Sequence, residues 1–577
     1  MLSLFLAAAA LAPGFDLDTV GQRTQYAKTG RIEEVAVACE KLKLLGPARA
    51  ACDVVGTTPE GRPIHAFTIG QPQPGKPTVL VIGGIHAGEI DGKDASFLII
   101  EELVNQRGAG DLAGVLDVVT VVFVPVYNVD GHERFGKNHR PNQRGPEEMG
   151  WRVTSSNLNL NRDWAKADAP ETRALLALIE KIDPVVTADL HVTDGAQFQH
   201  DIAVIVEPAA NDGANASLVP VARSLSSSLQ VHLQKSGHLP LPFYPSFEIH
   251  DDPSSGVTTG VTPARLTHGY LARRGRLGVL VETHSWRPAK ERVLATADLL
   301  RGLLTLAKTE ARSWKTAAID VDAAGLLLPG KSVTLSFDVD LDKKTVIDFQ
   351  GYAYTREPSS ISGALWTRYD ETKKQVWKMP LWSSVTAATT TTAPAFYAVL
   401  PGFAPAVAER LRAHGIAFSA LTVAKIAKDA ELFRADVVTF SPGPYEGRTT
   451  ARPKGAWTKA SSTSLPAGTL IVPVSQPRGR LVVELFEPAA PESFVGWGFF
   501  NAVFEQKEYM EGYVAEVEAR AMLSKDPALR KLFNDKLASD PVFAKDPEAR
   551  LDFFYRRHPA WDERKDLLPV LRLTTSP

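Results

Sequence analysis

An apolar run that ends in two glycines and then presents a histidine and a carboxylate constrains this chain more than any other feature. Residues 78–82 are branched and apolar and favour an extended strand, while Gly83 and Gly84 allow the backbone to turn sharply. His86 and Glu89, three residues apart, can then face one point as a nitrogen and an oxygen ligand. The stretch therefore predicts half of a metal site at the end of a strand.

A second apolar run, residues 184–191, ends in His191 further along the chain. Two histidines and one carboxylate form a ligand set that catalytic zinc uses, with the fourth position open for water. We therefore predict that His86, Glu89 and His191 bind one zinc ion per chain. Zinc lowers the pKa of a bound water to about 7 and can also polarise a carbonyl oxygen.

Residues 277–282 repeat this pattern, because an apolar strand again delivers one ionisable residue, Glu282, at its end. A carboxylate beside a metal-activated water can take a proton during attack and return it to the leaving amine. Residues 157–163 are rich in amides and contain Arg162, whose guanidinium can bind a carboxylate through two parallel hydrogen bonds. These segments predict a general acid/base and a site for a terminal carboxylate.

In type and order, these residues resemble the zinc carboxypeptidases of the carboxypeptidase A type, the M14 metallopeptidase superfamily. The resemblance covers residues 20 to 310. It implies that the three ligands named above bind zinc and that Glu282 is the general acid/base. It also implies that Asn161 and Arg162 hold the terminal carboxylate of a peptide.

The resemblance implies three further assignments around the site. Arg140 is the first candidate for polarising the scissile carbonyl, and Arg152 is the second. Tyr270 is expected on the substrate side. Where the family commonly has an aspartate that orients a zinc-bound histidine, this chain has Asn159, and a neutral amide raises the basicity of a ligand less than a carboxylate does.

The sequence thus predicts a zinc-dependent metallocarboxypeptidase that hydrolyses the C-terminal peptide bonds of peptides or proteins. Two alternatives stay open. One is a zinc amidohydrolase, acylase or cell-wall peptide hydrolase of the same superfamily, which would be indifferent to blocking of the substrate's carboxylate. The other is a non-catalytic peptide-binding protein, against which the presence of Glu282 counts, since binding alone needs no base.

Alternating strand and helix patterns predict an α/β fold with a mixed, twisted sheet flanked by helices over residues 20–310. Helices are expected at residues 94–106, 171–182 and 290–309, and a strand at residues 118–126. The ligands lie at strand ends, where open α/β sheets place their active sites.

The character of the sequence changes after residue 312. Residues 315–390 read as short strands with polar turns, which predicts an appended β-rich domain. Residues 394–577 are expected to form an α/β element, with a helix at 405–414, and a helical C-terminal region at 497–552. Phe500, Phe504, Tyr509 and Tyr513 are spaced as packing residues on one face of that region.

Charge and length restrict the partners of the protein. A formal net charge of −2 gives no basic field, so no nucleic-acid partner is predicted. No stretch reaches 18 apolar residues, so no integral membrane association is predicted. The oligomeric state stays open.

Residues 1–12 are apolar and end in small residues, as a signal peptide does, although they lack its usual positive start. We predict export to a bacterial periplasm or to the medium; a buried N-terminal segment and a cytoplasmic location are the alternatives. Cys39 and Cys52, the two cysteines of the chain, form either one small disulfide loop or two buried thiols.

Overall fold

A computed structural model describes residues 15–105 and 110–577. The predicted signal peptide at residues 1–12 lies outside the described residues. The first half of the chain forms an α/β domain around an eight-stranded sheet. The strands of this half are β1 Ala50–Thr57, β2 Pro63–Ile69, β3 Thr78–Gly83, β4 Thr120–Val124, β5 Gly136–Lys137, β6 Glu148–Met149, β7 Val186–Thr193, β8 Ile202–Glu207, β9 Pro240–Leu241, β10 Val257–Thr258 and β11 Leu277–His284. Its helices are α1 Val20–Arg23, α2 Ile32–Lys43, α3 Asp91–Asn105, α4 Val115–Val118, α5 Val129–Glu133, α6 Pro170–Ile182, α7 Leu218–Lys235, α8 Thr267–Arg273 and α9 Ala289–Leu326.

The sheet has the strand order β1-β2-β4-β3-β7-β11-β8-β9 and is mixed, as predicted. The four central strands, β4, β3, β7 and β11, run parallel, whereas β1, β2 and β8 pair antiparallel with their neighbours. Every residue of β4, β7 and β11 is buried, which explains why these strands are mostly apolar and do not alternate with exposed polar residues. The carboxyl ends of β3, β7 and β11 meet at one edge of the sheet.

Helices cover both faces of this sheet. Helices α2, α3, α7 and α9 pack on one face, and α6 and α8 pack on the other. Helix α9 continues past the predicted end at residue 309 to Leu326. No glycine or proline interrupts residues 310–324, and Ala311, Trp314 and Val321 are buried at helical spacing, so the helix runs on into the second half of the chain.

A disulfide joins Cys39 of α2 to Cys52 of β1. Of the two alternatives that the sequence leaves open, the structure therefore has the disulfide. The bond ties a helix to the edge strand of the sheet.

The second half of the chain contains several smaller sheets. Its strands are β12 Ser332–Val339, β13 Lys344–Pro358, β14 Leu365–Trp382, β15 Val385–Thr392, β16 Phe396–Val399, β17 Ser419–Ala420, β18 Lys425–Ala427, β19 Ala430–Phe440, β20 Ala451–Ala460, β21 Thr463–Leu465, β22 Leu470–Pro473 and β23 Leu567–Leu573. Its helices are α10 Ala404–Ala413, α11 Gly479–Phe486, α12 Gly512–Lys525, α13 Pro527–Ser539, α14 Pro541–Lys545 and α15 Pro547–Tyr555. The β-rich and helical character expected for this half is present.

The two halves share one hydrophobic core. That core runs from the central sheet into residues of the second half such as Tyr397, Val407 and Leu481. Strand β14 pairs with β10 of the first half, and β13 with β14 forms a long hairpin against it. Strand β23 lies between β16 and β19 in a six-stranded sheet, so the chain returns to that sheet after the helices.

The helical C-terminal region starts later than expected. Residues 497–511 contain only a short 3-10 turn, Asn501–Phe504, before α12 begins. The aspartates before α13, α14 and α15 cap these helices, and a proline follows each as the first helical residue.

The predicted packing of four aromatic residues in this region is half right. Phe500 and Phe504 are buried, but Tyr509 and Tyr513 are 68% and 77% exposed. The prediction failed for the two tyrosines because Tyr509 precedes the helix, so the four residues do not share one helical face.

A half-buried histidine between α7 and β9 joins the residue before β8 to α9, and we expect it to make the stability depend on pH. His238 Nδ1 lies 2.6 Å from Asp201 Oδ2, and its Nε2 lies 3.0 Å from Asp298 Oδ2. Hydrogen bonds to these two carboxylates raise the pKa of His238 to about 9. The protonated His238 therefore stabilises the fold by at most about 3 kcal/mol. This stabilisation is complete below the unfolded-state pKa of about 6.5 and is lost as pH rises through the folded-state pKa.

We expect the free energy of unfolding to fall by about 2–3 kcal/mol between pH 6 and pH 9.5 and His238→Gln to remove most of this dependence. Urea unfolding at both pH values measures it. An equal pH dependence in wild type and variant would contradict this assignment.

Candidate metal centre

The turn after β3 presents His86 and Glu89 because of its two glycines. Gly84 has a φ of +66°, which favours glycine, and a Cβ on Gly83 would lie 2.7 Å from the Pro125 carbonyl oxygen. The backbone N–H of Glu89 donates to the carbonyl of His86 at 2.9 Å. This turn brings His86 Nδ1 to 3.0 Å from Glu89 Oε1.

Strand β7 brings the third predicted ligand to the same point. His191 Nδ1 lies 2.9 Å from Glu89 Oε2 and 3.2 Å from His86 Nδ1. The ligand atoms of the three side chains all lie within 4.8 Å of one another, and all three residues are buried. The structure thus brings His86, Glu89 and His191 together.

The outer nitrogen of each imidazole faces an oxygen. His86 Nε2 lies 3.1 Å from Asn159 Oδ1, and His191 Nε2 lies 2.9 Å from Asp189 Oδ2. An acceptor at Nε2 keeps the proton on that nitrogen, which leaves the Nδ1 lone pair for a metal. For His86, this contact favours the tautomer that leaves Nδ1 for a cation. Asp189 lies within ion-pair distance of His191 Nε2, although the two groups are not in hydrogen-bond geometry. The donor set of His86, Glu89 and His191 fits zinc.

Asp189 was not among the residues that the sequence singled out, although a signal was present. It lies two residues before His191 in the same strand, and side chains two apart point to the same face of a strand. His191 thus has a carboxylate beside its Nε2 atom, whereas His86 has the neutral amide of Asn159.

Glu282 lies beside the ligands because β11 pairs parallel with β7. Its register partner is His191. Burial raises the pKa of Glu282 to about 8; the charge of His191 opposes this rise, while the nearby carboxylates Glu89, Asp189 and Asp194 add to it. A cation held by the ligands would favour the ionised form, since opposite charges lower the pKa of a carboxyl group.

Both predicted arginines reach Glu89, but in different ways. Arg140 donates to Glu89 Oε1 at 2.9 Å, and its side chain is 6% exposed. Arg152 lies 3.7 Å from the same oxygen with 37% of its side chain exposed. Arg140 is therefore engaged by a ligand, while Arg152 is open to solvent beside it.

The predicted carboxylate-binding pair lies on the 3-10 turn Leu160–Arg162. Asn161 is buried, and its Oδ1 accepts from the backbone N–H of Thr267 at 3.3 Å. Arg162 is half-buried and donates to the carbonyl of Asn161 at 2.7 Å. Burial lowers the pKa of His268 to about 4, and the charges of His191 and Arg162 add to this effect while that of Asp189 opposes it.

Tyr270 does not lie on the substrate side, and that prediction is wrong. It is fully buried, it packs against Trp164, and its hydroxyl lies 3.0 Å from Nδ1 of His414 in the second half of the chain. The hydroxyl is therefore used in the contact between the halves.

Tyr244 is a second tyrosine, which the sequence did not single out. Burial and the carboxylates of Glu282, Asp194 and Glu89 raise the pKa of its hydroxyl, although the residue as a whole is 38% exposed. Its segment, residues 241–245, places a tyrosine between two prolines in an apolar loop, but nothing in that sequence indicated the distant partner.

Comparisons with known proteins agree on one family for the first half of the chain. Residues 35–237 match the family model Peptidase_M14, zinc carboxypeptidase. The chain is similar to carboxypeptidase B of Rattus norvegicus, with 26% identity over 167 residues, which covers 28% of this chain and 40% of that protein. It is also similar to the inactive metallocarboxypeptidase ECM14 of Saccharomyces cerevisiae, with 28% identity over 132 residues, covering 21% and 30% of the two chains. The match thus spans less than half the length of these relatives.

Among solved structures, the chain is similar to a metallo-carboxypeptidase from Burkholderia cenocepacia. The TM-score is 0.35 and the identity 19%, and the match covers 47% of this chain and 68% of that chain. In the described part of the chain, no helix is both long and apolar enough to cross a membrane.

Proposed function

We propose that this chain, which carries a domain of the zinc carboxypeptidase family over residues 35–237, is a zinc-dependent metallocarboxypeptidase acting on peptide C-termini. The observation that carries the proposal is the convergence of His86, Glu89 and His191 with the Nε2 atom of each imidazole facing an oxygen. This arrangement supports one zinc ion per chain at the edge of the sheet where the parallel strands end.

In the proposed reaction, Glu282 moves the protons. When bound, zinc supplies Lewis acidity that favours attack of water on a carbonyl carbon. Glu282 accepts a proton from the attacking water at its carboxylate and returns it to the leaving nitrogen. Its place beside His191 supports this role.

Arg140, Arg152 and Arg162 have separate roles in the proposal. Since Arg140 is buried against Glu89, we assign to it the orientation of that ligand. Arg152, whose guanidinium is open to solvent 3.7 Å from Glu89, is then the better placed to contact the substrate carbonyl. Arg162, with Asn161, binds the terminal carboxylate.

The role of Arg162 predicts a selective effect on substrate affinity. Arg162→Ala should raise KM for peptides with a free C-terminus by about 10–100-fold, because a charge-assisted hydrogen bond is lost, while kcat changes much less. Steady-state kinetics on one peptide with a free and an amidated C-terminus measure it. Arg434→Ala, which removes an arginine bonded to carbonyls far from the site, is the control. An unchanged KM would move the anion site to another residue.

We also propose that the protein acts outside the cytoplasm. The Cys39–Cys52 disulfide supports this, since such bonds persist in oxidising compartments. Peptides or proteins with free C-termini are the proposed substrates.

Mass spectrometry of a mixed peptide library, incubated with the protein with and without a chelator, tests the proposed function. We expect stepwise, chelator-sensitive loss of single C-terminal residues. Cleavage that is indifferent to amidation of the C-terminus would favour an amidohydrolase of the same superfamily. No cleavage by a zinc-loaded sample would favour a peptide-binding role.

A further inference from the structure

A turn of the second half lies against the loop that carries Asn159. This turn, residues 445–448, connects the segments after β19 and before β20, and we call it the 445–448 turn. The carboxylate of Glu446 accepts a hydrogen bond from the backbone N–H of Asn159 at 2.9 Å. A Cβ placed on Gly447 would lie 3.3 Å from Leu158, so the backbone of the turn is also in close contact with the loop.

Strong contacts hold the 445–448 turn in this position. Arg448 donates to both oxygens of Asp168 at 2.6 and 2.7 Å, and Arg410 donates to the same carboxylate at 2.9 Å. Tyr445 stacks on Trp497, with 5.9 Å between the ring centroids. Asp168 belongs to the first half, so the turn is fastened to the domain whose loop it contacts.

The backbone of the turn is unfavourable for glutamate. Tyr445 and Arg448 pair through both backbone hydrogen bonds, and the two residues between them have positive φ, +50° at Glu446 and +78° at Gly447. Such two-residue turns favour Asn, Asp or Gly at the first of these positions. A left-handed glutamate costs conformational energy, and strain of this kind persists where the surroundings hold a residue for another reason.

The contacts indicate that the length of the glutamate side chain is the reason why glutamate occupies this strained position. Glutamate spans the gap to the Asn159 N–H, whereas asparagine is one methylene shorter. Asn159 itself has two tasks in the loop: its Oδ1 accepts from the N–H of Asn161 at 2.9 Å and lies 3.1 Å from His86 Nε2. Whatever fixes the backbone of Asn159 therefore fixes both the partner of a predicted ligand and the start of the turn that carries Arg162.

We propose that Glu446 is a positioning residue of the active site, supplied by the appended half of the chain. It holds Asn159 so that His86 keeps its metal-binding orientation and Arg162 its place in the site. Neither Glu446 nor its turn touches the ligand atoms. The inference rests on the proposed function for its kinetic part only.

Glu446→Asn separates positioning from folding, because it suits the turn better but is too short to reach. We expect Tm to stay equal or rise. The backbone N–H of Asn159 should exchange its hydrogen with solvent about tenfold faster, since its hydrogen-bond acceptor is lost. Zinc transfer to a metallochromic chelator should become about tenfold faster, because the contact of Asn159 that orients His86 is weakened. KM for a peptide with a free carboxylate should rise by a similar factor.

Two further variants serve as controls. Glu446→Gln keeps the reach and an acceptor oxygen, so it should behave like the wild type in all three measurements. Asp429→Asn makes the same change of charge at another residue with positive φ, +60°, which is exposed in the turn between β18 and β19, and it should change none of the three measurements.

Amide exchange and zinc transfer within twofold of wild type in Glu446→Asn would overturn the proposal. Equal impairment of Glu446→Gln and Glu446→Asn would also overturn it, since the length of the side chain could then not explain the effect. Absence of peptide hydrolysis by the wild type would refute the proposed function instead, while amide exchange at Asn159 and zinc transfer would still decide the role of Glu446.

Discussion

Replacing Glu282 with alanine is expected to lower turnover by about two to four orders of magnitude while zinc stays bound near one per chain. The size follows from the loss of a positioned proton carrier. Zinc should stay because Glu282 is the register neighbour of His191 in the next strand and is not one of the three clustered ligands. Steady-state turnover on a peptide substrate and elemental analysis of the same sample measure the two quantities.

A second buried glutamate of the same sheet provides the matched control. Glu207 on β8 lies opposite Gly278 of β11 and accepts from the backbone N–H of Thr262 at 2.9 Å, away from the ligands. Glu207→Gln should leave turnover within a few-fold of wild type. Turnover of Glu282→Ala within tenfold of wild type, in a zinc-loaded sample, would refute the role assigned to Glu282.

Replacing His191 with alanine is expected to abolish both zinc binding and activity. Two ligands would remain, and structural or catalytic zinc sites need three or four protein ligands. The change also leaves Asp189 as a buried carboxylate without its imidazole partner, which destabilises the fold by about 3–5 kcal/mol when the charge stays uncompensated. Elemental analysis, turnover and urea unfolding report these three effects.

His132→Ala controls for the loss of any buried histidine. His132 is 1% exposed on α5, pairs with Glu133 at 3.0 Å and is not part of the ligand cluster. We expect it to lose stability but to keep zinc. If His191→Ala kept stoichiometric zinc and His132→Ala lost it, the assignment of the metal centre would be wrong.

The central strands of the sheet could be predicted because short stretches of sequence are enough to identify them. Strands β3, β7 and β11 are buried on both faces, so they appear as continuous apolar runs, and each delivers its polar residue at the same edge. Parallel pairing then brings His191 and Glu282 together, and the short turn with Gly83 and Gly84 adds His86 to them.

Side-chain positions that depend on loops or on long-range contacts could not be predicted from the sequence. Tyr270 and Tyr244 are both tyrosines next to apolar residues, and only the fold decides that the first contacts His414 and that the charge of Glu282 acts on the second. Arg140 and Arg152 could not be ranked because their exposure depends on the loop around Glu89. The contact of Glu446 with Asn159 joins two halves that the sequence treats as separate domains.

The position of β23 has a consequence for how the protein is made. Its neighbours β16 and β19 leave the ribosome long before it, with residues 441–566 in between. Until Leu567–Leu573 emerges, both neighbours present unpaired edges, and such edges can pair with other chains. The nascent protein therefore passes through an interval in which its second half is vulnerable to aggregation, and a chaperone that shields strand edges would act in that interval.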